Sequence, residues 1–291
     1  MLLLGIDEVR KKQVVNTPSV GKSATIIDLG SAYPFLKWAG GKRALDPDII
    51  RELPSKFGTY YEPFVGGGAV FFALESKIQK KAYLSDMNQE LILTYQTLQK
   101  KPKSVIKELA KHERKHNKEY YGRIRDEIPQ DPVTHAARFI YLNKTCYNGL
   151  YRVNSKNRFN VPIGSYRNPK ICDKENLLAV SKVLKQAELH FHSFEKINPQ
   201  KGDLVYCDPP YDETFAQYTG SGFSEEDQSA LRDACKRWRE AGVFVIVSNS
   251  DTPLIRKFYQ DFHIISVQAP RVINCKGKER AKVFELLILG Y

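Results

Sequence analysis

Apolar residues fall into short unbroken runs separated by longer polar stretches with helical spacing, the pattern of strands alternating with helices. Residues 203–207 (DLVYC) and 243–247 (VFVIV) are apolar runs, as expected of strands buried on both faces of a parallel sheet. A further strand is expected at 81–86 (KAYLSD), and another leads into the glycines of 60–72 (YYEPFVGGGAVFF). Residues 89–137 have a helical pattern, and a second helical stretch runs to Lys185. Ser224 and Asp227 have the spacing of a capping box for a helix through Glu240, which Gly242 ends. Runs from His263 to Ala269 and from Lys282 to Leu289 read as a closing hairpin with a basic tip at 275–280. Residues 1–33 carry no strong period. The expected fold class is α/β.

Chemistry concentrates where the 203–207 run stops. Asp208-Pro209-Pro210-Tyr211 follows it, and two prolines cannot continue a ladder, so the backbone must break away. In open α/β sheets, ligands sit beyond the carboxyl ends of the strands, where these residues fall. A carboxylate, a proline-flanked carbonyl and an aromatic face suit a planar amine such as the exocyclic amino group of a nucleobase. The plain alternative is a tight turn after a strand. Residues 212–223, polar and glycine-containing, form a loop able to close over a substrate.

Two upstream stretches have glycines that let a backbone approach a ligand. Gly66, Gly67 and Gly68 follow a strand and precede a helix, without the Gly-x-Gly-x-x-Gly spacing of a dinucleotide site. Asp86 ends the next strand 20 residues beyond Gly66, where an acid commonly holds the ribose of an adenosine-containing cofactor; it could equally cap a helix, a task Asn88 could share. Residues 34–43 (PFLKWAGGKR) place Lys37, Trp38 and Lys42 around a Gly-Gly turn, although a Trp beside a turn can also be core.

Charge then singles out the middle of the chain. The net charge is +12, and residues 100–172 hold 17 Lys and Arg against 6 Asp and Glu, as expected of a polyanion-binding module in a near-neutral scaffold. Within that block, residues 141–168 are dense in Asn, Arg, Lys and Tyr, types that read base edges, hold phosphates or wedge between bases. A polar loop with tyrosines packed beneath it has the same composition. The histidines of 111–116 (KHERKH) are expected on a solvated helix face rather than at a metal. Five scattered cysteines (146, 172, 207, 235 and 275) without a Cys-x-x-Cys pair suggest a reducing compartment and no structural zinc. Met1-Leu2-Leu3-Leu4 is too short for a signal peptide, and no run approaches about 20 apolar residues, so a cytoplasmic protein is expected.

Taken in order, FLKWAGGK (35–42), EPFVGGG (62–68), SDMN (85–88), NGLYR (148–152) and DPPY (208–211) resemble the Dam family of DNA adenine N6-methyltransferases over residues 34–291. The resemblance implies a Rossmann-like, S-adenosylmethionine-dependent, seven-stranded sheet with a reversed last strand and a helical, basic target-recognition insert. It implies a leader at 1–33, a catalytic domain from 34–90 and 195–291, and the insert at 91–194. Trp38, Lys42, Glu62, Phe64, Gly66, Gly68, Asp86 and Asp208 would line the S-adenosylmethionine site. Asp208 and the Pro209 carbonyl would hold the adenine amino group, with Tyr211 stacked on the flipped base. Tyr147, Asn148 and Leu150 would probe or wedge the duplex and Arg152 would read a guanine. Lys37, Pro162 and Tyr166 would add base contacts, with Lys144 and Asn154 positioning the backbone. The implied partner is double-stranded DNA, with no membrane and no metal, in a bacterial or phage-encoded monomer or weak dimer; any cognate restriction endonuclease would act separately. One departure bears on the implied GATC site: Dam enzymes often have arginine where Ser165 precedes Tyr166. Methyltransferases acting on RNA or protein amides use a similar tetrapeptide without needing the NGLYR insert, and a catalytically silent DNA-binding protein would not need Asp208 or the triple glycine.

Overall fold

The computed structural model describes residues 32–38, 46–211, 223–269 and 283–291. The Gly40-Gly41 turn, Lys42, the 212–222 loop, the 275–280 tip and residues 1–31 lie outside the described residues.

Seven strands form one sheet: β1 (Tyr60–Glu62), β2 (Ala82–Asp86), β3 (Ala187–Phe191), β4 (Leu204–Cys207), β5 (Phe244–Ser250), β6 (His263–Ala269) and β7 (Val283–Leu289). Their order is β3-β2-β1-β4-β5-β7-β6, and β7 runs antiparallel to both neighbours, so the last strand is reversed as expected. The two apolar runs lie side by side at the centre: β4 pairs in parallel with β1 and β5, and every residue of β4 is buried. That double burial explains their lack of polar alternation. Because β1, β2 and β4 are parallel neighbours, their carboxyl ends open on one edge of the sheet.

The helices follow local signals. After α1 (Asp46–Arg51), α2 (Ala69–Ala73) starts from Gly68 in the left-handed region, and α3 (Gln89–Lys100) is capped by the Asn88 side chain accepting from Leu91 N–H. α4 (Pro102–Lys115), α5 (Lys118–Asp126) and α6 (Pro132–Thr145) resolve the single expected helical stretch into separate helices, two of them opened by proline at the first turn. α7 (Lys174–Leu184) returns the chain to the sheet. The Ser224–Asp227 capping box opens α8 (Glu225–Glu240), and α9 (Pro253–Phe258) precedes β6.

Two expectations need correction. β3 belongs to the sheet although its residues fall within the 91–194 stretch assigned to the insert. Its mixed sequence, AELHF, is that of a half-exposed edge strand and carries no long apolar run. His112 is not on a solvated face but 4% exposed. It continues the stripe of Val105, Ile106 and Leu109 on α4, where helical spacing puts it in the core despite the charged residues around it. There its ring stacks on Tyr141 and its Nδ1 lies 2.8 Å from the Tyr120 hydroxyl.

Burial, aided by nearby Lys111 and Lys115, pushes the His112 pKa from 6.5 down to about 4. The unfolded chain therefore takes up a proton that the folded chain refuses, and stability falls as pH drops through that window. The thermal midpoint should decline between about pH 6.5 and about pH 4. His112→Gln should flatten that decline; an equal slope in the variant would assign it to other groups.

Candidate active site and nucleic-acid interface

The break after β4 is held from several directions. Pro209 is buried, while Asp208 and Tyr211 are half-buried at the strand end. Gln228 of α8, fully buried, donates through Nε2 to the Pro210 carbonyl at 3.2 Å. Asn249 of β5, also buried, donates to Gln228 Oε1 at 3.1 Å and accepts from Ser250 N–H at 2.8 Å. Just before the break, the Tyr206 hydroxyl of β4 and the Ser248 hydroxyl of β5 lie 2.8 Å apart. The Tyr211 hydroxyl donates to Glu285 Oε2 of β7 at 2.6 Å. Burial, then the charges of Asp208 and Glu285, hold the Tyr211 phenol well above its usual pKa, so it remains a neutral donor. Gln228→Ala strands the buried Asn249 amide and releases the Pro210 carbonyl, which should cost about 1–3 kcal/mol of unfolding free energy. Urea denaturation would read the loss, and an unchanged midpoint would show that the relay is dispensable.

The glycine turn lies one strand over. Glu62, 3% exposed, ends β1 and accepts from the Tyr60 hydroxyl at 2.8 Å. Val65 N–H donates to the Ser85 carbonyl, Gly66 N–H to Asp86 Oδ2 at 3.0 Å, and the Tyr95 hydroxyl to the Gly66 carbonyl at 3.1 Å. Asp86 Oδ1 accepts from Asn88 N–H at 2.9 Å. Asn88 caps α3, so Asp86 is left to clamp the turn. Burial raises the Asp86 pKa, and the N–H groups of Gly66, Asn88 and Met87 oppose that shift. Phe64 stacks on Phe194 and meets Phe223 edge-on. Trp38 packs on the turn so closely that a Cβ on Gly66 would lie 2.7 Å from its indole. The indole also stacks on Phe139 and Tyr151, so it serves as packing and as a wall of the turn at once.

The remaining candidates lie between residues 144 and 166, together with Lys37, which packs against them. Lys37 is fixed by its backbone, which exchanges hydrogen bonds with the Asn143 side chain. Its ammonium donates to the Lys144 carbonyl at 3.1 Å and sits 3.5 Å over the Tyr166 ring. Gly149, at φ +65°, lets the insert close on this residue: a Cβ there would lie 2.4 Å from Lys37 Cβ. Tyr147 and Asn148 are exposed, and Tyr147 N–H donates to the carbonyl of exposed Pro162. Leu150 is half-buried against the core. Arg152 is exposed but folded onto Asn160, with Nε 2.8 Å from Oδ1. Asn154 accepts from the N–H groups of Lys156 and Arg158 and so shapes the hairpin tip. Among the described residues no three His, Cys, Asp or Glu side chains form a metal-binding group, and no helix is long and apolar enough to cross a membrane.

Gln228, Asn249 and Glu285 have no local sequence signature and emerge only with the fold, whereas Tyr151 lies inside the NGLYR motif and only its contact emerges with the fold. Tyr151 gives its hydroxyl to Glu90 Oε2 at 2.8 Å, tying the start of the hairpin to α3.

A family model described as D12 class N6 adenine-specific DNA methyltransferase matches residues 38–273. The chain is 44% identical over 276 residues to the type II methyltransferase M1.LlaDCHI of Lactococcus lactis subsp. cremoris, covering 89% of this chain and 95% of that one. It is 40% identical to the type II methyltransferase M.MjaIII of Methanocaldococcus jannaschii, covering 89% and 99%. The DNA adenine methylase of Escherichia coli strain K12 is 36% identical over 267 residues, covering 88% and 94%.

Proposed function

This chain belongs to the D12 class of N6 adenine-specific DNA methyltransferases, and we propose that it methylates adenine within GATC from S-adenosylmethionine, with Asp208, Pro209 and Tyr211 as catalytic groups. The observation that carries the residue assignment is the anchored break after β4, beside the glycine turn between β1 and β2.

The donor set at that turn fits an adenosine-containing cofactor. Gly66 and Gly68, at φ +46° and +69°, leave bare backbone. Asp86 keeps acceptor capacity for a ribose hydroxyl beyond the N–H groups it already holds. Met87, 63% exposed beside it, offers an apolar surface to a purine. Glu62 and Phe64 close the same strand end. When bound, S-adenosylmethionine supplies an electrophilic methyl group on sulfur.

The target adenine cannot reach such a corner from within the duplex, so it is extruded, and unstacking is offset by stacking on Tyr211. Ring conjugation makes the amino nitrogen a poor nucleophile. Asp208 and the Pro209 carbonyl accept its two hydrogens, drawing the nitrogen toward tetrahedral geometry and freeing its lone pair. The Asp208 charge also favours the positive charge that grows on nitrogen. Positioning and electrostatics therefore carry the rate.

Sequence choice is assigned to the insert. Lys37, Tyr147, Asn148, Leu150, Pro162 and Tyr166 contact or wedge bases, Arg152 reads a guanine, and Lys144 and Asn154 set the backbone. Arg152 must leave Asn160 to do so. Arg152→Ala should cost about 1–3 kcal/mol of discrimination at one base pair. Methylation of duplexes altered singly at each position would show relaxation at that position; an unchanged profile would remove Arg152 from recognition.

A further inference from the structure

We propose that Tyr151 is a positioning residue that couples the cofactor turn to the recognition hairpin, so that cofactor binding raises the preference for the cognate duplex. The inference rests on the reading of the Gly66 turn as the cofactor site and of Arg152 as the residue that reads a guanine. Tyr151 immediately precedes Arg152 and is half-buried, and its side chain touches separate parts of the molecule. Its ring lies 5.8 Å from the Trp38 indole and 23° from parallel, and Trp38 is the wall packed on Gly66. Its hydroxyl donates to Glu90 Oε2 at 2.8 Å, and Glu90 stands in the first turn of α3, just after the Asp86–Asn88 segment. Another ring neighbour, Phe159 at 5.9 Å, is buried in the return arm of the hairpin, next to the Asn160 that holds the Arg152 guanidinium.

Burial, then the Glu90 charge, holds the Tyr151 phenol well above its usual pKa, so it stays a neutral donor. Burial also opposes ionisation of Glu90, but the His135 imidazole and the Tyr151 hydroxyl outweigh it and keep the carboxyl below its usual range. His135 Nε2 lies 3.6 Å from the other Glu90 oxygen, so the acceptor is itself held. The hairpin continues from the ring: Val153 bridges Phe159, and Asn160 N–H donates to the Arg152 carbonyl at 3.0 Å. A cofactor on the turn bears on Trp38 and orders the segment after Asp86, and Tyr151 joins both to the hairpin. Its side chain then loses freedom, and the hairpin that carries Arg152 is ordered before DNA arrives. A hairpin already ordered loses less entropy on docking, and only a duplex that Arg152 can read gains from it.

Fluorescence anisotropy titrations test this with a GATC duplex and one in which the guanine is replaced. Each is titrated with and without saturating sinefungin, a non-reactive analogue of S-adenosylmethionine, and the dissociation constants combine into one coupling factor. In wild type, sinefungin should tighten the GATC duplex about tenfold more than the altered one. Tyr151→Phe keeps the stack on Trp38 but loses the bond to Glu90, and the factor should fall to about threefold or less. Its affinities for sinefungin alone and for duplex alone should stay within about threefold of wild type. Tyr151→Leu, which removes the stack as well, should abolish the factor. Glu90→Gln, which keeps an acceptor oxygen, should retain a factor above that of Tyr151→Phe. By linkage each duplex must tighten sinefungin as much as sinefungin tightens that duplex, which calorimetry reads independently. A factor unchanged in both Tyr151 variants, with or without uniform weakening of every affinity, would make Tyr151 a packing residue and overturn the proposal. If Tyr151→Leu fails to fold, Tyr151→Phe and Glu90→Gln decide it: a larger loss of the factor in Glu90→Gln would overturn it too. No coupling in a wild type that binds sinefungin and prefers GATC would overturn the proposal and leave the site assignments standing. A wild type that binds no sinefungin, or shows no preference for GATC, would remove those assignments and the proposal with them.

Discussion

Asp208→Ala is expected to lower methyl transfer by about a thousandfold or more while leaving duplex binding nearly intact. Asp208 and Pro209 are the groups proposed to redirect the adenine amino nitrogen, and a carboxylate aimed at developing charge cannot be replaced by water at a half-buried strand end. DNA affinity is assigned to a different surface, the basic insert around Lys37, Lys144 and Arg152, so binding should survive. Asp208→Asn should fall between wild type and Asp208→Ala, because an amide oxygen still accepts one hydrogen without the charge. Single-turnover rates with saturating cofactor, alongside duplex affinity by fluorescence anisotropy, read both quantities. Turnover near wild type in Asp208→Ala would remove the tetrapeptide from the chemistry.

The second large effect is expected at the glycine turn. Gly66 is held at φ +46° with its N–H on Asp86 and its carbonyl on Tyr95. Any L side chain pays about 1–2 kcal/mol for that conformation. A Cβ would also lie 2.7 Å from the Trp38 indole, which is packed between the turn and the rings of Phe139 and Tyr151 and has little room to retreat. Gly66→Val should therefore displace the turn and weaken cofactor affinity by more than about tenfold, roughly the strain plus the lost contacts. Calorimetry with a non-reactive cofactor analogue measures it, and circular dichroism checks that the sheet persists. Undiminished affinity in a folded variant would separate this turn from cofactor binding.

The sheet was legible in sequence because its central strands are buried on both faces, and such strands spell continuous apolar runs. The tetrapeptide was legible for a related reason: two prolines after a buried strand leave the backbone only one course. Local signals also gave the Ser224–Asp227 box and the β6–β7 hairpin. The insert was harder to read. Charge counts mark residues 100–172 as basic, but they conceal His112, whose burial follows from its place on a stripe and not from its own chemistry. Edge strand β3 was hidden because an exposed edge needs no apolar run. The least legible groups were those whose role depends on sheet order. Glu285 meets Tyr211 across a gap of 74 residues, and Gln228 meets Asn249 across 21, and neither spacing carries a periodic signal. Sequence offers Arg152 as a candidate for reading guanine, but gives no sign that its guanidinium is folded onto Asn160.

The most direct test of the central claim is to express the protein in a host lacking N6-methyladenine and map the modified bases of a resident plasmid at single-base resolution, beside the Asp208→Ala variant. The account predicts N6-methyladenine confined to GATC with wild type and absent with the variant, so that Ser165 is compatible with the same recognition. Methylated adenines at unrelated sequences, or their persistence in Asp208→Ala, would contradict it.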